Sequence, residues 1–178
     1  LFVQNFFDSF TPFDTLIGKS VFDSKSDLFF KNIYSSDSLL KAQAIASVND
    51  YINFEDKDFE AIKSVITDFP FTKNQMGTKK QLIEDLCKLK DPSIYDYLLS
   101  IYEKFEDTAS YQLAILRGLA RQNTKKGNEL FLKLLEKDIP LSNNSYEIYN
   151  IVFPLFDSLS LASNLFPDLL NYTFVKQY

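Results

Sequence analysis

The chain has 178 residues, 46% hydrophobic and 24% charged, an ordinary composition for one globular domain with a substantial core. Lys and Arg total 19 against 24 Asp and Glu, and the net charge of -5 sets up a field that repels phosphate backbones, so nucleic acid is not an expected partner. Histidine is absent, and with it go the commonest general base, the Ser and Cys triads that depend on it, and the commonest metal ligand.

The first 35 residues do not fit the repeat that runs through the rest of the chain and are dense in aromatics, with Phe6, Phe7, Phe10, Phe13 and Phe22. IGKS at 17–20 matches the tail of a phosphate-binding loop, but Phe13 stands where that motif needs its first glycine. DSKSD at 23–27 matches the start of a calcium loop as superficially, with Leu28 in place of the turn glycine, and reads as a polar loop and helix cap. The segment lacks the basic stretch and small-residue cleavage site of a signal peptide, and no apolar run in the chain approaches the ~20 residues of a membrane span. A start at Leu1, with Met76 the only methionine, suggests a piece of a longer protein.

From Ser36 onward apolar residues recur at three and four with polar residues between. The spacing predicts helices over 37–53, 56–68, 75–90, 92–106, 108–122, 125–138, 145–156 and 158–171. The few glycines, at 18, 77, 118 and 127, disfavour turn-rich β architectures and glycine-loop nucleotide folds. Asp91 followed by Pro92 predicts a helix start, because the Asp side chain can accept free first-turn amides and Pro gives up an amide that had no partner. Pro70 and Pro140 predict helix ends, and Pro154 an end or a kink.

The helical segments repeat. A shift of 33 places Ile83 on Leu116, Leu86 on Leu119, Cys87 on Ala120, Leu99 on Leu132, Ile101 on Leu134 and Tyr102 on Leu135. A shift of 36 puts Phe59, Ile62, Val65 and Ile66 under Tyr95, Leu98, Ile101 and Tyr102. A helix pair of that size cannot bury its apolar stripe alone, so stacked copies must share a core. Leu86, Leu99, Leu116, Leu119, Leu132 and Leu135 are the expected shared residues.

This pattern resembles the HEAT and armadillo class of α-helical repeats, well over 37–138 and more weakly over 139–178. The resemblance implies an all-α, right-handed α-solenoid of about four antiparallel helix pairs spanning 36–178. Residues 1–35 would form an aromatic-rich cap over its open end, or alternatively an aromatic surface for a partner. Tetratricopeptide repeats have a similar period, but their Trp, Gly and Tyr signature and their small-residue placement are missing.

Few residues carry chemistry. Cys87 falls on the core stripe and reads as a buried structural thiol. Asn143-Asn144-Ser145 and Asn171-Tyr172-Thr173 fit the N-glycosylation pattern, which is frequent by chance. Arg117 and Arg121, the only arginines, sit four apart on one helical face. They could clamp a carboxylate or phosphate, but the register stacks position 117 beside Glu84, so an exposed inter-repeat ion pair is the expectation, stabilising by ~0–1 kcal/mol. Tyr97 lies off the stripe of Tyr95, Leu98 and Tyr102 and is expected to be an exposed contact residue.

The same shifts align Glu60, Asp96 and Glu129, an acid at one position of three second helices, and put Glu103 and Glu136 in a shorter second column opposed by Lys133. Acids near helix N-termini are favoured by the helix dipole alone. The functional alternative is a concave face that receives a basic segment of another protein or peptide. The expected function is a non-enzymatic interaction or scaffold module without a cofactor. The alternatives are an accessory tail of an upstream catalytic domain and a helical-repeat nucleic-acid enzyme, which would need lysines where the register puts acids. A hydrolase built from carboxylates alone stays open at this point.

Overall fold

In a computed structural model, which describes residues 2–8, 24–48, 52–140, 145–158, 160, 163 and 168–171, every regular element is helical. The α-helices are α1 Phe2–Asp8, α2 Ser26–Ile33, α3 Ser38–Ser47, α4 Phe59–Asp68, α5 Met76–Leu86, α6 Ile94–Lys104, α7 Ala109–Gln122, α8 Lys125–Lys137 and α9 Ser145–Val152. Short 3-10 turns occupy Asp56–Asp58, Lys73–Gln75, Phe153–Ser158 and Asp168–Asn171. None of the described helices is long and apolar enough to cross a membrane.

Local chemistry sets the helix ends. Asp37 opens α3, its carboxylate accepting from the backbone N–H of Leu39 at 2.8 Å and of Leu40 at 3.4 Å. Thr124 opens α8 by accepting from the Gly127 N–H at 3.1 Å. Asp91 accepts from the Ser93 N–H at 2.8 Å, and α6 follows from Ile94, two residues beyond the expected start. Helix α5 stops at Leu86 rather than at 90, because the amides of Lys88 and Leu89 turn back on the carbonyls of Asp85 and Leu86, three residues earlier, and tighten the last turn. Asn123 ends α7 with a left-handed φ of 43°, a conformation Asn tolerates better than most residues. Helices α4 and α8 end ahead of Pro70 and Pro140, and α9 gives way to a 3-10 turn at Phe153-Pro154. The helix expected over 158–171 lies largely outside the described residues.

Packing joins alternate helices as well as consecutive ones. Helix α5 packs on α4 and α7, α7 also on α6, α8 and α9, and α6 on α8. Burial recurs at the spacing read from the sequence: Tyr97 and Leu130, Leu98 and Phe131, Ile101 and Leu134, Tyr102 and Leu135 are buried pairs 33 residues apart. The same step carries Ile115 and Leu119 of α7 onto Ile148 and Val152 of α9. Leu86, Leu116, Leu119 and Leu135 are fully buried, whereas Leu99 and Leu132 sit half-buried at the edge of the core.

One hydrophobic cluster runs from Phe29 to Leu155, so the described residues just ahead of α3 contribute to the core. Their α2 pairs with α3 and inserts Phe29 and Ile33. The segment that does not fit the repeat thus supplies a helix of its own, directly after the polar loop expected at 23–27, and its eight residues give only two turns of pattern. Of the phenylalanines expected to form a cap, Phe10, Phe13, Phe22 and the side chain of Phe7 lie outside the described residues. Phe6 is exposed.

Candidate functional site

Glu60, Asp96 and Glu129 lie in the first half of α4, α6 and α8, and all three are exposed. Each follows an inward-leaning residue: Phe59 and Asn128 are buried, and Tyr95 is half-buried. Helix periodicity therefore turns each acid outward. Glu60 meets Lys63 one turn on at 3.1 Å, an exposed pair worth ~0–1 kcal/mol.

In the second column Glu103 and Glu136 are also exposed. The cation facing Glu103 is Lys137, in an ion pair between α6 and α8, rather than Lys133. Lys137 closes α8 and Glu103 lies in the last turn of α6, so the helix ends bring them together.

The arginines converge on one carboxylate. Arg121 Nη1 donates to Glu84 Oε2 at 2.6 Å, and Arg117 Nε lies 3.3 Å from Glu84 Oε1 without an aligned hydrogen bond. Unlike the exposed pair expected, Glu84 is buried and the Arg117 side chain is only 16% exposed. Burial raises the Glu84 carboxyl's affinity for a proton more than the two guanidiniums lower it. The triad joins α5 to α7, and its net stabilisation is small because the cost of removing the charges from water offsets their attraction. Both arginines are committed to this contact and do not form a free anion clamp.

A residue the periodicity did not single out makes this approach possible. A Cβ built on Gly118 would lie 2.5 Å from Cys87 Sγ and 2.8 Å from its Cβ, so α5 and α7 touch where α7 has no side chain. The signal was present in the sequence: an isolated glycine inside a helical pattern costs about 1 kcal/mol relative to Ala, and a close contact is a reason to keep it. Cys87 itself is fully enclosed, and burial pushes its thiol far above the ordinary range.

Tyr97 corrects an expectation. It is buried rather than exposed, its hydroxyl donating to the Lys63 carbonyl at 3.2 Å and sharing a 3.0 Å hydrogen bond with Thr67. Its ring meets Phe59 edge-on, 6.2 Å between centroids. The inward stripe of α6 is Ile94, Tyr97, Leu98, Ile101 and Tyr102, so Tyr95 rather than Tyr97 stands on its shoulder. Tyr97 carries the link from α6 to α4 and is withdrawn as a contact residue.

No protein-family model, curated protein or solved structure matches the chain.

Two concavities border α2. A cleft of about 140 Å³ between α2 and α3, bordered by Phe29, Asn32, Gln43 and Ala44, falls below the ~300–1,000 Å³ of ordinary small-molecule pockets. An open depression of about 400 Å³ over Lys25, Asp27, Leu28 and Lys31 is lined from a single helix and its cap. Neither brings two carboxylates together. Among the described residues there is also no group of three His, Cys, Asp or Glu that could hold a metal ion.

Sequence reasoning also missed a ring-lined lysine. Lys79 Nζ of α5 lies 5.6, 4.9 and 5.1 Å from the ring centroids of Phe71, Phe105 and Tyr111. Cation–π attraction contributes ~0.5–2 kcal/mol at such sites. Partial burial acts in the opposite sense and lowers the ammonium's hold on its proton. No sequence signal announced this cluster, because its rings come from three separate segments.

Proposed function

We propose that this chain is a non-enzymatic protein-interaction module of stacked helical repeats, HEAT-like in type, whose acidic column receives a basic segment of another protein. In this reading α4, α6 and α8 form one layer of a right-handed solenoid and α5, α7 and α9 the other, each consecutive pair antiparallel. Alternate-helix packing and burial recurring every 33 residues support the stack. The observation that carries the functional reading is the exposure of Glu60, Asp96 and Glu129 at corresponding positions of three successive second helices.

Helices in contact are ~8–10 Å apart, about one Debye length at physiological salt, so the fields of neighbouring carboxylates overlap in part. A chain with lysines at a matching interval would meet all three. Glu60 already has Lys63, but an exposed pair of ~0–1 kcal/mol is readily exchanged for a partner's lysine. Glu103 and Glu136 extend the acidic surface beside the column.

The test is a titration with a lysine-rich peptide. Neutralising Glu60→Gln, Asp96→Asn and Glu129→Gln together is expected to weaken binding about tenfold, from three exposed contacts of about 0.5 kcal/mol each, and to flatten its salt dependence. A control chain with Asp68→Asn, Glu106→Gln and Asp107→Asn changes the net charge equally and should bind nearly as well as the parent. Equal losses in both chains would reduce the effect to net charge and remove the column as a site.

A further inference from the structure

Helix α5 packs on α7 and α7 on α9, so each helix of this run covers a face of the one before it. The 33-residue step shows which face. It carries Ile83 of α5 onto Leu116 of α7 and on to Tyr149 of α9, and it carries Cys87 onto Ala120 and on to Phe153, the residue directly after α9. Cys87 stands at the contact between α5 and α7, because its Sγ and Cβ are what a Cβ on Gly118 would meet. Leu116 and Ala120 are each two residues, or ~200° of turn, from Gly118 and therefore lie on the side of α7 away from α5. Ile83, Cys87, Leu116 and Ala120 are all buried, at no more than 1% exposed. Tyr149 and Phe153 repeat those positions and are 43% and 51% exposed. Their rings stack, with centroids 5.2 Å and planes 27° apart, and among the described residues no further α-helix follows to cover them. A lone exposed aromatic is ordinary on a surface, whereas a stacked pair at a position that is core in two preceding helices marks a contact face.

We propose that this face pairs with the same face of a second copy of the chain, α9 against α9, in a two-fold contact that continues the run of α5, α7 and α9 into the other molecule. The face fits itself. Aromatic pairs meet favourably in offset or edge-on arrangements, and α9 carries a single charged side chain, Glu147, so the two-fold contact brings few like charges together. A contact of like with like also closes as a dimer, whereas α9 against the exposed Leu39 and Leu40 of α3 would build an open chain of copies. A fully covered ring buries ~150–250 Å², and about half of each is still open, so four rings contribute roughly 400 Å² to the contact. That is well below the ~1,200–2,000 Å² of a stable interface, and the pairing is weak and reversible. The net charge of -5 on each copy opposes the approach, so salt strengthens the pairing, the reverse of its effect on a basic peptide at the acidic column.

Sedimentation equilibrium of the full chain, from micromolar to near-millimolar concentration, tests this. The apparent mass is expected to rise from 20.6 kDa toward twice that value and no further, and to rise more steeply in high salt than in low. Tyr149→Gln with Phe153→Gln is expected to hold the chain at the monomer mass while circular dichroism shows the helices retained; Tyr149→Gln alone serves if the double variant loses them. Leu39→Gln, which removes a more exposed apolar side chain from α3, should pair like the parent. A chain that stays monomeric at every concentration overturns the proposal. So does association that persists unchanged in the helical α9 variant, is lost in the Leu39 variant, weakens with salt or grows past two copies.

Discussion

Leu119→Ala is expected to lower the stability of the chain by about 2–5 kcal/mol, through lost burial and the cavity left behind. Leu119 is completely buried in α7, the helix that packs against α5, α6, α8 and α9, so the surrounding side chains have little freedom to collapse into the space. At about 2–4 °C per kcal/mol for a chain of this size, the thermal midpoint should fall by roughly 4–20 °C in a calorimetric scan. Leu39→Ala removes the same atoms from a side chain that is 64% exposed and should stay within about 0.5 kcal/mol of the parent. A Leu119→Ala midpoint within a degree of the parent would mean that α7 does not sit at the centre of the packing.

Gly118→Ala should cost about 1–3 kcal/mol even though alanine is the better helix former by about 1 kcal/mol. The added methyl would lie 2.5 Å from Cys87 Sγ and 2.8 Å from Cys87 Cβ, and two packed helices cannot both yield. Displacing α7 would also draw Arg117 and Arg121 away from Glu84 and leave a buried carboxylate short of its counter-charges. Cys87→Ala combined with Gly118→Ala removes the sulfur clash but keeps the contact between Cβ atoms. The double variant should therefore recover part of the loss, and chemical denaturation of all four chains gives the coupling directly. Simple additivity would contradict the contact.

Much of the fold was legible because its signals are local. Three-and-four spacing placed α3 through α9, the prolines at 70, 140 and 154 marked where helices stop, and a shift of 33 aligned residues that are in fact buried together. What stayed illegible depends on neighbours. In α6 both the set Tyr95, Leu98 and Tyr102 and the set Ile94, Leu98 and Ile101 satisfy helical spacing, and only the position of α4 decides that Tyr97 faces inward. Lys137 rather than Lys133 meets Glu103 because ion pairing between helices depends on their axial offset, which a repeat shift does not specify. The Lys79 cluster needed three segments brought to one corner, and a single sequence carries no trace of that meeting. The outward-facing acids were readable because exposure follows from the same periodicity that buries their neighbours.

Glu60, Asp96 and Glu129 form a column only if α4, α6 and α8 succeed one another in a line. Dipolar electron paramagnetic resonance tests this with nitroxide labels on pairs of Glu60→Cys, Asp96→Cys and Glu129→Cys in a Cys87→Ala background. The stack predicts a 60–129 separation of about 20 Å, roughly twice the ~8–10 Å step between adjacent helices and longer than either the 60–96 or the 96–129 separation. A 60–129 separation no longer than the 60–96 one would contradict it.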